Sequence, residues 1–175
     1  MLVGLEFGAI DVDLPHPERP GESFGSQFRL GLQAGYEITR WLGLDAEVGF
    51  SFLGESDSLN AILEGQGREP GAAYTLVDCG VGVVARWPLG SGRWAPFLRA
   101  SGGLASLALS SPDGGTRETD PSWSAGGGVE WTVARPVVLR FQGRWLGQRT
   151  DDGITRSHAT AELAVFYSFY AGNFE

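Results

Sequence analysis

The sequence contains no lysine, a single cysteine (Cys79) and only two histidines, His16 and His158. One cysteine excludes an intramolecular disulfide and leaves the redox compartment open. Two histidines in no Ser–His–Asp, paired or HExxH spacing leave no recognisable catalytic triad or zinc motif. No apolar run approaches the roughly 20 residues of a membrane-spanning helix. Basic charge is also scarce. The thirteen cations, all arginine, face twenty-one acids, and the net charge of −8 excludes a nucleic-acid partner, which needs a basic face. The arginine-for-lysine bias carries no functional weight. Glycine, by contrast, is abundant: 27 of 175 residues, against a usual ~7%, dispersed along the chain rather than gathered in a linker. Length and even composition fit one domain.

The main signal is a period-two alternation, which sends successive side chains to opposite faces of a strand. Eight segments show it. Val3, Leu5, Phe7 and Ala9 oppose Gly4, Glu6 and Gly8; Phe28, Leu30, Leu32 and Ala34 oppose Gln27, Arg29, Gly31, Gln33 and Gly35. Leu44, Ala46, Val48 and Phe50 oppose Asp45, Glu47, Gly49 and Ser51; Val77, Cys79, Val81 and Val83 oppose Asp78, Gly80, Gly82 and Arg86, with Val84 an exception. Leu98, Ala100 and Leu104 oppose Phe97, Arg99, Ser101 and Gly103; Ala125, Val129, Trp131 and Val133 oppose Ser124, Gly126, Gly128 and Glu130. Val137, Leu139, Phe141 and Trp145 oppose Arg140, Gln142 and Arg144; Ala161, Leu163, Val165, Tyr167 and Phe169 oppose Thr160, Glu162 and Ser168. Glycine and β-branched density argues against helix throughout.

Connections alternate between long loops, near 11–26, 53–73, 110–121 and 147–157, and short turns, near 37–41, 88–93 and 134–136. That is the pattern of an all-β, eight-stranded antiparallel up-and-down barrel with loops at one end and turns at the other. Closure removes the open edges that a bilayer forbids.

A soluble lipocalin-like barrel would bury the apolar face, whereas a membrane barrel exposes it. Two features select the second. Eleven strand charges (Glu6, Arg29, Asp45, Glu47, Asp78, Arg86, Arg99, Glu130, Arg140, Arg144 and Glu162) share the polar parity, which is otherwise mostly small. A narrow lumen needs small residues beside a few large ones. Tryptophans also gather at strand ends: Trp87, Trp94 and Trp131 flank the turns, with Trp41 and Tyr36 beside them, while Trp123 and Trp145 sit toward the long loops. Two aromatic girdles are expected where a membrane barrel meets its interfaces.

The stretches Tyr36–Gly54 (YEITRWLGLDAEVGFSFLG), Pro96–Leu104 (PFLRASGGL), Trp123–Trp145 (WSAGGGVEWTVARPVVLRFQGRW) and Ala161–Phe169 (AELAVFYSF) resemble the OmpA-like and OmpX-like outer-membrane β-barrel family. The resemblance covers nearly the whole chain and implies an integral, non-enzymatic barrel of the bacterial outer membrane, with a structural or surface-interaction role. It also implies periplasmic termini, extracellular loops, and lipid and lipopolysaccharide as surroundings. The chain departs from the family in continuing past Phe169 to Glu175. A barrel domain is expected over 1–170 with a short tail at 171–175, and a secretory signal is expected to have been removed before the numbering begins.

Six acids and five bases in one bore must pair to be tolerated. Hairpin arithmetic sets Glu130 opposite Arg140, Arg29 diagonal to Glu47, and Arg144 within reach of Glu162. A lumen plugged by side chains is expected, with a narrow pore as the alternative. The long loops are assigned thirteen acids (among them Asp11, Asp13, Glu55, Glu118 and Asp120) against five arginines. They are expected to form a solvated surface, with a partner at the loops as the sharper reading. Asp57 and Ser58 could cap a short helix through Leu59, Ile62 and Leu63. His158 is expected at the surface; Asp113–Gly114–Gly115 and Asp151–Asp152–Gly153 read as turns without calcium-ligand spacing. Cys79 lies on the lipid parity. No catalytic residue, cofactor or metal is expected, and the barrel is expected to be monomeric.

Overall fold

The computed structural model describes residues 1–13, 23–55, 65, 73–110, 115–149 and 155–169; of these, the side chains of 11–13, 23–26 and 54–55 are left aside. Eight strands form a closed barrel in chain order: β1 (Leu2–Asp13), β2 (Ser23–Glu37), β3 (Leu42–Glu55), β4 (Ala73–Arg86), β5 (Trp94–Ser110), β6 (Thr116–Ala134), β7 (Val137–Arg149) and β8 (Thr155–Ser168). Every neighbouring pair is antiparallel, and β1 closes on β8 without a break from Leu2↔Ser168 to Asp13↔Ser157.

Local chemistry makes the turns tight. After β2, the Thr39 hydroxyl accepts hydrogen bonds from the backbone N–H of Trp41 (3.1 Å) and Leu42 (3.0 Å). Such a side-chain bond closes a turn without needing a ladder partner. Between β4 and β5, Gly90 and Gly92 take φ of 53° and 75°, a left-handed backbone that side chains disfavour. Arg135 and Pro136 alone join β6 to β7. The N–H of Phe169 bonds to the carbonyl of Met1 at this same end, so both ends of the strand circuit meet at the turns.

The alternation becomes two faces. Leu5, Phe7, Leu32, Leu44, Phe50, Val81, Leu98, Phe141 and Leu163 are exposed on the outside, Val81 most of all at 68%. The eleven charged residues of the other parity are buried inside, none more than 7% exposed. A continuous apolar belt around the barrel far exceeds the few hundred Å² that soluble proteins leave in water. Hydrocarbon is the solvent that this surface fits, which removes the soluble lipocalin-like alternative.

All seven aromatic residues assigned to girdles point outward: Tyr36, Trp41, Trp87, Trp94, Trp123 and Trp145 are exposed, and Trp131 is half-buried. Trp94 pairs across the sheet with Trp131, their rings stacked at 5.2 Å. Trp123 meets Trp145 edge-on at 4.6 Å. From Trp131 to Trp123 β6 rises about 27 Å along the strand, or about 20 Å along the axis at a tilt of roughly 40°.

The strands outrun their alternation. Most of the third long loop expected over 110–121 is strand, because β5 and β6 stay paired as far as Leu109↔Thr116. Elsewhere too the strands run into the ranges expected as loops, β1 to Asp13, β3 to Glu55, β7 to Arg149 and β8 from Thr155, so that Asp11, Asp13, Glu55, Glu118 and Asp120 lie on strands. The physical reason is that alternation reports lipid contact, not backbone pairing. Beyond the membrane the outer face meets water, and its side chains no longer need to be apolar. The helix expected around 59–63 falls outside the described residues.

Candidate functional site

The lumen is the only place where the polar parity of all eight strands converges, and close approach shapes it. Gly49 faces Arg29: a Cβ there would come within 2.0 Å of the guanidinium, so the absent side chain is the space that the arginine occupies.

The eleven buried charges form one continuous network with Gln33 and Gln142. At the turn end, Glu130 accepts from Arg86 Nε (2.8 Å) and from Arg140 Nε and Nη2 (2.9 and 2.5 Å). Glu130 and Arg140 sit directly opposite in the β6–β7 register. Arg140 Nη1 donates to Gln33 Oε1 (2.8 Å), and Gln33 Nε2 donates to Asp45 Oδ2 (2.9 Å). Arg99 spans Asp45 (3.0 Å) and Glu47 (2.9 Å). Arg144 links Glu47, Glu162 (3.2 Å) and Asp78 (3.6 Å). Arg29 grips both oxygens of Asp78 (2.5 and 2.9 Å) and lies 3.1 Å from Glu162 and 3.5 Å from Glu6. Gln142 Nε2 joins Glu6 (3.1 Å) to Glu162. Guanidinium suits such a role, because its fixed fork reaches two or three carboxylates from one side chain.

One expected pair fails. Arg29 does not pair with Glu47, because the β2–β3 register sets Arg29 against Ser51 and Gln33 against Glu47. The turn ends closer to β3 than hairpin arithmetic assumed, and Glu47 moves out of diagonal reach. Its charge is met by Arg99 and Arg144 instead.

Apolar clusters lie toward both ends of the lumen. At the turn end Leu2, Ala164 and Phe166 cluster with Val138, and Arg140 lies over the rings of Phe166 (4.4 Å) and Phe97 (4.9 Å). Toward the loops, Ile10, Leu53, Leu76, Ala105, Leu107 and Leu146 form a second cluster with Tyr74 packed against it. The sequence pattern does not reveal this layer, since Leu53 is expected in a loop and the β7 alternation stops at Trp145. Carrying the parity of Glu6, Ser51, Asp78 and Arg144 onward would have found Ile10, Leu53, Leu76 and Leu146. At the same level lie two further buried groups. Asp120 accepts from Gln148 Nε2 (2.7 Å) and is not a loop acid, and His158 is buried rather than on the surface. Both continue the inward parity of their strands past the apolar belt. His16, Asp151 and Asp152 fall outside the described residues, and no metal-binding cluster occurs among the described ones. Cys79 is exposed on the outer face.

The rim holds looser polar contacts: Arg117 and Thr119 both reach the Ser106 hydroxyl (2.8 and 3.0 Å), and Arg156 pairs with Glu118 at 2.8 Å. Chemically, the lumen holds charge fixed between two apolar layers.

Comparison with known proteins gives a consistent result. The family described as outer membrane protein beta-barrel domain matches residues 1–169. No curated protein matches the sequence significantly. Among solved structures, Neisserial surface protein A superposes with a TM-score of 0.72 at 14% identity, over 96% of each chain. Ail, the attachment invasion locus protein of Yersinia pestis, gives 0.59 at 13% identity, covering 95% of this chain and 97% of that one. Ail is also known in complex with the heparin analogue sucrose octasulfate. The N-terminal β-barrel domain of Pseudomonas aeruginosa OprF gives 0.50 at 13% identity, with 95% and 97% covered. At such identities the likeness shows a shared fold.

Proposed function

Since the chain belongs to the outer membrane protein beta-barrel domain family, with a match over nearly its whole length, we propose that it is a non-enzymatic barrel, plugged by its own side chains, whose work is done by its loops. It resides in the bacterial outer membrane. One observation carries the plugged reading: a continuous ion-pair network fills the middle of the bore, with an apolar cluster across it on the loop side. An ion entering this bore would have to displace guanidinium–carboxylate contacts in a low-dielectric space, where each is costly to break. In planar bilayers the refolded protein is expected to give no conductance steps; regular openings at moderate voltage would overturn the plugged lumen.

Orientation is part of the proposal. Short turns and the meeting of β1 with β8 at one end support a periplasmic turn end, with the acidic loops outside among lipopolysaccharide. Divalent cations would bridge the two anionic surfaces. A polyanion of the kind that Ail binds is a poor match, because twelve acids against five arginines in the loop-side sequence, the buried Asp120 set aside, would repel it. Closure without a free strand edge supports a monomer. A tag inserted at Asp113 should be reached by antibody on intact cells, and one at Gly92 only after the outer membrane is opened. The reverse staining would refute this orientation.

A further inference from the structure

The two ends of the barrel differ in charge. The loop side is strongly acidic, whereas the turns carry Arg40, Arg93 and Arg135 against Glu37 alone. These turns surround a cavity of about 390 Å³ at the barrel mouth, also lined by Arg86 and Glu130 on its inner side. Four guanidinium groups therefore meet two carboxylates there. One of the two is already engaged, because Glu130 accepts from Arg86 Nε and from Arg140. Arg86 is 4% exposed and stands on the inner wall, its Nε held by Glu130. Arg40 stacks its guanidinium over the Trp41 ring at 4.8 Å, which orients the group while leaving its in-plane N–H edge for an acceptor.

We propose that this turn-end cavity binds a phosphate group, as a monoester or diester, with Arg86 at its inner wall and Arg40, Arg93 and Arg135 around its mouth. Phosphate presents acceptor oxygens in several directions and so can meet arginines arriving from three separate turns, whereas a carboxylate offers two oxygens in one plane. The volume exceeds that of bare phosphate and leaves room for a glycerol- or sugar-sized substituent. The ligand is either a soluble phosphate ester reaching the open mouth or the headgroup of a neighbouring phospholipid.

The test uses the full chain refolded in dodecyl maltoside, a phosphate-free detergent, at constant ionic strength. Inorganic phosphate, glycerol 1-phosphate and micellar phosphatidylglycerol are titrated calorimetrically, with acetate as the control anion. One saturable site per barrel is expected, with a dissociation constant on the order of 1 mM or tighter for the favoured probe. Saturation by the soluble probes assigns the ligand to solution; saturation by phosphatidylglycerol alone assigns it to lipid. The variant R93Q/R135Q changes only turn residues, and its folding is checked by heat-modifiable gel migration. It should bind roughly tenfold more weakly or worse, as expected for losing charge-assisted hydrogen bonds. E37Q should bind at least as tightly as the wild type. Absence of saturation by all three phosphate probes, equal binding of acetate, or unchanged affinity in folded R93Q/R135Q would overturn the proposal.

Discussion

Arg140→Ala probes the lumen where its parts are most tightly joined. Arg140 makes two hydrogen bonds to Glu130 and one to Gln33, and its guanidinium fills the space between Phe97 and Phe166. Removing it leaves the Gln33 carbonyl oxygen unmet and a void between two rings. Glu130 keeps Arg86 as a partner, so its charge is not left alone. Breaking a buried pair from one side typically costs about 3–5 kcal/mol, and the surviving Arg86 contact places this variant near the lower end, at about 3 kcal/mol. The loss should appear as a lower urea midpoint for unfolding from lipid vesicles, with an unchanged slope. Conductance should stay at baseline, because Ile10, Leu53, Leu76 and Leu146 still close the bore toward the loops. The paired variant R140M/E130Q removes both charges and keeps most of the volume, so it should recover much of the stability. A loss below roughly 0.5 kcal/mol in R140A, the size of an ordinary surface change, would refute the idea that this network holds the lumen together. Conductance steps in R140A would refute the second apolar gate.

Other outcomes follow from the same geometry. Val81→Arg on the lipid face should destabilise by roughly 2–4 kcal/mol, as for a cation near the bilayer midplane, whereas Thr116→Arg beyond the belt should change stability by less than about 1 kcal/mol; equal effects in vesicle unfolding would contradict the assigned faces. Gly49→Ala should dislodge Arg29 from Asp78, since its Cβ would fall 2.0 Å from the guanidinium, at a cost on the order of 3 kcal/mol; an unchanged urea midpoint would sink it. Gly128→Ala should be worse, because its Cβ would meet the Phe141 carbonyl oxygen at 1.8 Å, a backbone atom that cannot swing away; failure to show heat-modifiable migration is the expected result.

How much of this could be read from sequence follows from what alternation records. Within the hydrocarbon zone two unlike environments act on successive residues, so Leu32 and Gln33, or Val48 and Glu47, sort cleanly and the eleven lumen charges can be named. Outside it the rule loses its meaning. Thr116–Asp120 is polar on both parities, and a continuing strand there looks like a loop. Inside the upper bore the usual association of inward with polar reverses: Leu53 and Leu146 face in, beside Asp120 and His158. Register was harder still. The pair Glu130–Arg140 was legible because only two residues separate β6 from β7, while the longer β2–β3 turn carried Glu47 away from Arg29. The wider partnerships, such as Arg29 with Asp78 or Arg99 with Glu47, depend on the curvature of the closed sheet, which no local pattern encodes.

The single cysteine offers the most direct test of which face meets lipid. A nitroxide attached to Cys79, which lies exposed on the outer wall of β4, should in a bilayer collide freely with oxygen and be shielded from a water-soluble nickel chelate. Strong collision with the nickel chelate and little with oxygen would mean that the apolar parity faces water or the bore, and the barrel described here would be inside out.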